Sequence, residues 1–154
     1  MNSLRNYDIV WLTGQPGAGK TVLGQAIKKH LDKSNSKKSV IVDGDDVRQL
    51  FENQNYSIDG RKKNIKFVQK LSQFLIGNDI IPIVCLVSPF KDLRDEVKAK
   101  YNCLEIYVHC SEIRGREQFH VDYYEVPNEN FIAIDTTQKT VEHSFEELLN
   151  KLKQ

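Results

Sequence analysis

The stretch Gly14-Gln15-Pro16-Gly17-Ala18-Gly19-Lys20-Thr21 decides how the rest of the chain is interpreted. It matches the pattern G-x-x-x-x-G-K-[ST] at every fixed position. The apolar run of residues 9–13 before it is typical of a buried strand, and after it apolar residues recur at helical spacing, at Val22, Leu23, Ala26, Ile27 and Leu31. A strand before and a helix after are the context of a phosphate-binding P-loop, and they argue against a glycine-rich turn that binds nothing.

The residue types of this loop suit a nucleotide phosphate site. Phosphate oxygens need several backbone N–H groups aimed at one point, and only a glycine-rich turn lets the backbone come that close. Lys20 adds positive charge at the β- and γ-phosphates, the hydroxyl of Thr21 is a ligand for Mg²⁺, and the helix that begins near Gly19 directs its positive dipole end at the same place. We predict a nucleotide site with Lys20 also catalytic and Thr21 also binding the metal, formed by Gly14, Gln15, Pro16, Gly17, Ala18, Gly19, Lys20 and Thr21.

Length and composition predict one soluble domain over residues 1–154. The 22 basic and 21 acidic residues give no general attraction to nucleic acid or to anionic membranes. Residues 1–8 are polar and lack the apolar core of a signal peptide, and no segment approaches the roughly 20 apolar residues of a transmembrane helix. We therefore expect a cytoplasmic protein that binds neither nucleic acid nor a membrane.

The cysteines are odd in number and show no C-x-x-C spacing: Cys85, Cys103 and Cys110. Neither a zinc site nor a disulfide framework is indicated, and free thiols are expected.

Predicted strands alternate with predicted helices along the whole chain. This order predicts an α/β protein with a three-layer P-loop NTPase fold, in which a five-stranded parallel sheet is flanked by helices. Pro82 is expected at the entrance of the third strand, and Ser88 and Pro89 at the N-cap and first position of the helix after it. A polar connection, residues 33–38, follows the first helix. The predicted strands cover residues 9–13, 39–42, 80–87, 103–108 and 131–134, and the later helices cover 47–51, 58–76, 89–101 and 141–152.

Acidic residues follow the second strand, at Asp43-Gly44-Asp45-Asp46. Ligands bind at the carboxyl ends of parallel strands, so this segment should lie beside the P-loop. An acid there orients Mg²⁺ or accepts a proton from an attacking hydroxyl, whereas an acidic helix cap is the alternative. Residues 111–130, between the last two strands, are charged and weakly patterned and are predicted to form a lid over the nucleotide.

Several basic residues are candidates for binding anions. Arg48 lies one helical turn after Asp45, and Arg61 and Asn64 share a face of the next helix. Together they suit a second anionic ligand, although a lone arginine is more often a solvated surface charge. Arg114 and Arg116 in the predicted lid are candidates for stabilising the transferring phosphoryl group, and the alternative is that they face solvent.

Five stretches of the chain resemble the adenylylsulfate kinase family, in the family's order and with similar spacing. The combination of DGD-x-VR, R-x-x-N-I and SPF is far more selective than the P-loop alone. The five are WLTGQPGAGKT (11–21), DGDDVR (43–48), YSIDGRKKNI (56–65), LVSPFKDLRDE (86–96) and EIYVHCSEIRGR (105–116).

The resemblance implies a reaction and the residues that perform it. Members of the family use MgATP to phosphorylate the ribose 3′-hydroxyl of adenylyl sulfate, a small-molecule nucleotide, in sulfate assimilation. Asp45 would lie near the accepting hydroxyl and act in catalysis as well as in substrate binding, and the lid arginines Arg114 and Arg116 would bind ATP. The residues implied to bind the acceptor are Asp45, Arg48, Tyr56 as the aromatic that stacks on the base, Arg61, Asn64, Ser88, and Phe119 as a second aromatic.

The lid departs from the family's pattern. A longer basic segment of the type RDPKGLYKKA is missing, because the chain goes directly from Arg116 to residues 118–127. This leaves the acceptor open, and kinases of other activated nucleotides, such as cytidine diphosphoramidate, are the alternative. A GTPase-like switch lacks its guanine-reading element here, and an inactive scaffold would not be expected to keep Lys20, Thr21 and Asp45. Related kinases are often homodimers, so a homodimer is compatible with the sequence.

Overall fold

The computed structural model describes residues 3–34 and 37–154, so Asn35 and Ser36 of the predicted polar connection lie outside the described residues. No helix within these two ranges has the length and hydropathy needed to cross a bilayer. Short 3-10 turns cover Leu4–Asn6 and Glu117–Phe119. The other elements are β1 (Ile9–Thr13), α1 (Lys20–Asp32), β2 (Lys38–Asp43), α2 (Gly44–Leu50), α3 (Ile58–Gly77), β3 (Ile80–Cys85), α4 (Lys91–Lys100), β4 (Cys103–His109), β5 (Ile132–Asp135) and α5 (Val141–Leu152).

The five strands form one parallel sheet in the order β2-β3-β1-β4-β5. β1 is central, and Leu12 pairs with Cys85 of β3 on one side and with Ile106 of β4 on the other. All carboxyl ends therefore meet at one edge of the sheet, where the P-loop follows β1. The predicted fold class is confirmed.

Apolar residues pack on both faces of the sheet, which explains why β1 is buried along its whole length. Val10 and Leu12 contribute to the core that contains α1 and α5. Ile9 and Trp11 contribute to the second core, which contains residues of α2, α3 and α4. Because successive strand residues point to opposite faces, a continuous apolar run is what a strand between two helix layers requires.

Side-chain caps fix the starts of three helices. Asp43 accepts the N–H of Asp45 at 2.9 Å at the start of α2, and Ser57 accepts the N–H of Gly60 at 3.2 Å at the start of α3. Thr140 caps α5 in the same way. Each cap satisfies a backbone donor that the helix itself leaves unpaired.

The chain around β3 differs in two details from the sequence prediction. Pro82 is the third residue of β3 and lies beside Val40, but pairing of β3 with β1 begins only at Ile83. The strand ends at Cys85, two residues before the predicted end.

The prediction that Ser88 caps a helix is wrong. α4 begins only at Lys91, and its N-cap Phe90 makes no side-chain cap bond. Ser88 has φ +49°, and its Oγ accepts a hydrogen bond from Nε1 of Trp11 at 3.2 Å. This buried contact with β1 uses the hydroxyl that a cap would have needed.

Candidate active site

A cleft of about 1710 Å³ opens at the carboxyl edge of the sheet. It lies between the P-loop, the acidic segment after β2, the start of α3 and the lid. Gly14, Gln15 and Ala18 do not line it. The other predicted site residues all do: Pro16, Gly17, Gly19, Lys20, Thr21, Asp45, Arg48, Tyr56, Arg61, Asn64, Ser88, Arg114, Arg116 and Phe119.

The P-loop backbone requires glycine at its first position. Gly14 has φ +157°, and a Cβ there would lie 2.1 Å from the carbonyl oxygen of Val108 in β4. The loop therefore runs directly against the neighbouring strand. At its other end Gly19 has φ +102° and makes no side-chain cap, so the first N–H groups of α1 have no capping side chain. Such donors at a helix N-terminus suit phosphate oxygens.

The Lys20 ammonium is folded back onto the loop. Nζ donates to the carbonyl oxygens of Gly14 at 2.9 Å and Gln15 at 2.8 Å. Burial lowers the pKa of Lys20 to about 8. Phosphate oxygens would provide the negative charge that this buried cation lacks, and they would favour its protonated form.

Asp43 lies beside Thr21, the residue that the sequence predicts as a metal ligand. Thr21 Oγ1 donates to Asp43 Oδ2 at 3.0 Å, while the other carboxylate oxygen caps α2. A hydroxyl and a carboxylate are the hard oxygen ligands that suit Mg²⁺ when phosphates and water complete its shell. No group of three or more acidic, histidine or cysteine residues suited to a metal occurs among the described residues.

Arg48 and Tyr56 form one wall of the cleft. Arg48 Nη1 donates to the carbonyl oxygens of Asn53 at 3.0 Å and Asn55 at 2.9 Å. Its guanidinium lies 4.0 Å from the centroid of the Tyr56 ring, and that of Arg61 lies 5.7 Å away. Tyr56 is 59% exposed, so ring surface is still available for a base.

Arg61 and Asn64 each keep an unused polar atom in this cleft. Asn64 Nδ2 donates to the carbonyl of Gly44 at 3.3 Å, but its Oδ1 has no hydrogen-bond partner among the described residues, and neither has Nε of Arg61. Both atoms are buried, and a buried polar atom without a partner carries a substantial desolvation cost. Because both residues line the cleft, polar groups of a ligand bound there would lie beside their side chains.

The two lid arginines differ in their surroundings. Arg114 Nη1 lies 3.3 Å from the Gly17 carbonyl, Nη2 donates to the Thr136 carbonyl at 3.0 Å, and Glu112 binds the same guanidinium. In this conformation Arg114 ties the P-loop to Thr136, the residue after β5. Arg116 lies beside Gly17 and 5.5 Å from the Phe119 ring centroid, and its guanidinium makes no comparable bonds to the residues that the structure describes.

The second half of the lid is fixed by contacts that the sequence did not reveal. Gln15 Nε2 donates to the carbonyl of Val121 at 2.9 Å, and Gln15 Oε1 accepts the N–H of Val121 at 2.8 Å. The hydroxyl of Tyr124 lies 2.7 Å from Oγ1 of Thr13, and burial raises the pKa of Tyr124 to about 12. We call residues 121–125 the lid root.

A P-loop at the centre of a parallel sheet, facing a cleft lined with arginines, defines a nucleotide-binding protein of the P-loop class. Residues 7–135 match the model of the adenylylsulphate kinase family, and the chain belongs to that family. The adenylyl-sulfate kinase of Oceanobacillus iheyensis is 30% identical over 94% of this chain and 83% of its own length. The probable adenylyl-sulfate kinase of Pyrococcus abyssi is 28% identical over 94% of both chains.

The fold also matches a solved structure. The APS kinase of Mycobacterium tuberculosis, determined in complex with AMPPNP and APS, superposes with a TM-score of 0.77 over 95% of this chain and 97% of that one, at 18% sequence identity. The family resemblance seen in the sequence is thus confirmed.

Proposed function

We propose that this protein is an ATP-dependent kinase that phosphorylates the 3′-hydroxyl of adenylyl sulfate, giving 3′-phosphoadenylyl sulfate and ADP. Family membership supports this reaction. The observation that carries it is the cleft itself, which is lined both by P-loop residues with Lys20 and by Arg48, Arg61 and Asn64. A phosphoryl donor and an anionic acceptor therefore fit face to face.

On the donor side, the P-loop backbone would hold the ATP phosphates and Lys20 would shift from its two carbonyl oxygens to the phosphates. Mg²⁺, when bound, would neutralise charge on the phosphate oxygens, with Thr21 and Asp43 holding it directly or through water. Arg116 has a freer guanidinium than Arg114, which makes it the better candidate for the charge that develops during transfer.

On the acceptor side, Arg48 and Arg61 would bind the anionic groups of the sulfonucleotide by forked hydrogen bonds. Asn64 Oδ1 would accept a hydrogen bond from the ligand. The base would lie against Tyr56, with Phe119 and Ser88 completing the pocket. These residue roles follow the predictions from the sequence.

The reaction is an in-line displacement. The 3′-oxygen of the acceptor bonds to the γ-phosphorus while the bond from that phosphorus to the β,γ-bridging oxygen breaks, and ADP leaves with the electron pair. The hydroxyl proton passes to the carboxylate of Asp45, which lines the cleft within electrostatic range of Lys20. Catalysis then consists mainly of positioning and charge stabilisation.

The short lid favours a second candidate, the kinase of another activated nucleotide such as cytidine diphosphoramidate. The lid contains a single 3-10 turn, and Phe119 at its end is 55% exposed. A base that lies against Phe119 therefore meets fewer fixed contacts than an anionic group bound by Arg48 and Arg61. The identity of the base is thus less constrained.

The deciding experiment measures ADP release with MgATP and a panel of nucleotides that carry a free 3′-hydroxyl. Strong stimulation by adenylyl sulfate would support the leading proposal, and preferential stimulation by a cytidine, uridine or guanosine nucleotide would support the second. No stimulation by any of them would contradict both. Lys20→Ala should abolish turnover.

Asp45 has a matched control in Asp46, which is exposed on the same turn but does not line the cleft. Asp45→Asn should lower kcat by about 100-fold or more, the usual contribution of a general base, whereas Asp46→Asn should leave it unchanged. A loss below about tenfold in Asp45→Asn would remove Asp45 from the role of base.

We also propose that residues 1–154 form a single kinase domain with its lid at 111–130, and that the protein works in the cytoplasm as a homodimer. Exposed Leu50, Phe51 and Phe74 are candidates for burial between two copies. Sedimentation at several concentrations tests the dimer, and a monomer throughout would contradict it.

A further inference from the structure

A charged group outside the predicted site is buried beside it. Arg94 of α4 is 1% exposed, and its partner Glu105 of β4 is 2% exposed. Arg94 Nε lies 3.4 Å from Oε1 of Glu105, and Nζ of Lys98 lies 2.9 Å from Oε2 of the same carboxylate. A buried ion pair is not in itself a strong source of stability, because desolvation of both charges offsets their attraction. Its placement therefore needs another explanation.

The two remaining nitrogens of Arg94 donate to two separate segments of the chain, one of which lines the cleft. Nη1 donates to the carbonyl of Ser88, and Nη2 donates to the carbonyl of Glu125 in the lid root. Ser88 lines the cleft and follows β3, whereas Glu125 lies 31 residues further along the chain than Arg94. One rigid guanidinium thus joins two segments that no strand pairing connects.

Ser88 is a position that needs such support. Its φ of +49° is unfavourable for a residue with a side chain, and such strain persists only where the surroundings hold it. Its carbonyl oxygen also lies 3.3 Å from Oγ1 of Thr13, and its own Oγ accepts from Trp11. Arg94 supplies the only charged donor to this carbonyl among the described residues.

The lid root is held at the same junction. The N–H of Glu125 donates to the carbonyl of Pro89 at 2.9 Å, and the Tyr124 ring lies 5.6 Å from the Arg94 guanidinium. Movement of Arg94 would therefore displace Ser88 and the lid root together.

We propose that Arg94 is a positioning residue that sets the shape of the acceptor pocket by fixing the Ser88 backbone to the lid root. This inference rests on the proposed function. Nucleotide binding depends mainly on the P-loop backbone and should change little. The Michaelis constant for the acceptor should rise by about tenfold or more when Arg94 is removed, the range expected for loss of a hydrogen bond to a charged group.

Loss of stability must be separated from loss of positioning. Arg94→Met leaves Glu105 with one partner fewer and should lower Tm by about 10 °C. The double variant Arg94→Met/Glu105→Gln removes both charges and should recover most of that Tm, because paired removal of buried charges is often nearly neutral. Lys98→Met is the matched control, since Lys98 also binds Glu105 but, among the bonds of the described residues, reaches neither Ser88 nor Glu125; its bond to the lid is at the carbonyl of Glu129, outside the lid root.

The experiment measures, for the wild type and these three variants, Tm, the Kd of ADP and the KM and kcat for the acceptor. We expect the raised acceptor KM in both Arg94 variants, a Kd for ADP within about threefold of the wild type, and a normal KM in Lys98→Met. If the double variant regains both Tm and acceptor KM, Arg94 acts only through stability and the proposal is overturned.

A second readout does not depend on the identity of the acceptor. Amide hydrogen exchange at Val121, Tyr124 and Glu125 should be at least about tenfold faster in both Arg94 variants than in the wild type. Unchanged exchange there would overturn the proposal. If adenylyl sulfate fails to stimulate the wild type but exchange is faster as expected, the proposed function falls and the role of Arg94 in fixing the lid root stands.

Discussion

Nucleotide affinity should fall as the pH rises through the pKa of Lys20. Burial lowers that pKa to about 8 in the protein without nucleotide, so the ammonium is mostly charged at pH 7 and mostly neutral at pH 9. A bound phosphate favours the charged form and keeps it protonated across this range. Nucleotide binding at pH 9 must therefore be accompanied by uptake of a proton at Lys20. At pH 7 that proton is already bound.

The size of the effect follows from the fraction of Lys20 that is protonated at pH 7 and at pH 9. With a pKa of about 8, the Kd for ADP at pH 9 should exceed that at pH 7 by about tenfold, or about 1.4 kcal/mol. The stability of the nucleotide-free protein should respond with the opposite sign. Between pH 8 and 10.5 the unfolded chain binds more protons at Lys20 than the folded one, so this residue's contribution to the free energy of unfolding increases with pH.

Isothermal titration calorimetry of ADP with Mg²⁺ at pH 7, 8 and 9 and constant ionic strength measures the predicted slope. Lys20→Arg is the matched control, because a guanidinium stays charged over this range and any titration of the ligand itself affects both proteins equally. The wild-type Kd divided by the control Kd should rise about tenfold from pH 7 to pH 9. A ratio that changes less than about twofold would refute the assignment of a lowered pKa to Lys20.

Three further substitutions test two other residues of the site and the packing of α1 behind it. Asp43→Asn should raise the Mg²⁺ concentration for half-maximal activity by about tenfold or more, because an amide is a poorer ligand than the carboxylate beside Thr21; a Mg²⁺ titration with no shift would mean that Asp43 only caps α2. Gly24→Ala should lower the free energy of unfolding, measured in urea, by about 1–3 kcal/mol, because the new carbon would lie 2.6 Å from the Cys85 sulfur. Adding Cys85→Ala should recover most of this loss if that contact is the cause. Phe119→Ala should raise the acceptor KM about fivefold or more if the ring stacks on a base, and an unchanged KM would remove Phe119 from the acceptor site.

The fold could be predicted because its signals are local. The helix α5 was predicted with its observed bounds, Val141–Leu152, from apolar spacing alone. The stretch after β3 was not, because Ser88-Pro89 is a common helix start and the residue that overrides it, Arg94, acts from the next helix. The tertiary contact of Arg94 thus outweighed the local preference of Ser88-Pro89 for a helix start.

The sequence indicated most of the residues that line the cleft but not how their polar atoms are used. Of the three acids at the end of β2 and the start of α2, only the structure distinguishes Asp43, which accepts from Thr21, from Asp45, which lines the cleft without that bond, and from Asp46, which does not line it. Likewise, helical periodicity identifies the buried face of α4 through Leu93 and Val97, but it cannot say that a charged neighbour is buried with them. A buried cation becomes plausible only when its partners are known, and those of Arg94 come from β4, from Ser88 after β3 and from the lid root.

The lid can contribute less to acceptor recognition than the helices do. Arg114 is bonded to the P-loop and to Thr136 at one end, and Val121 is bonded to Gln15 at the other. The six residues between them, 115–120, reach at most about 20 Å when fully extended. Closure can therefore move Arg116 and Phe119 over the nucleotides, but it cannot bring in a further set of basic residues. Under the proposed function, the charge of the acceptor would therefore be met by Arg48 of α2 and Arg61 of α3, which line the cleft together with Ser88.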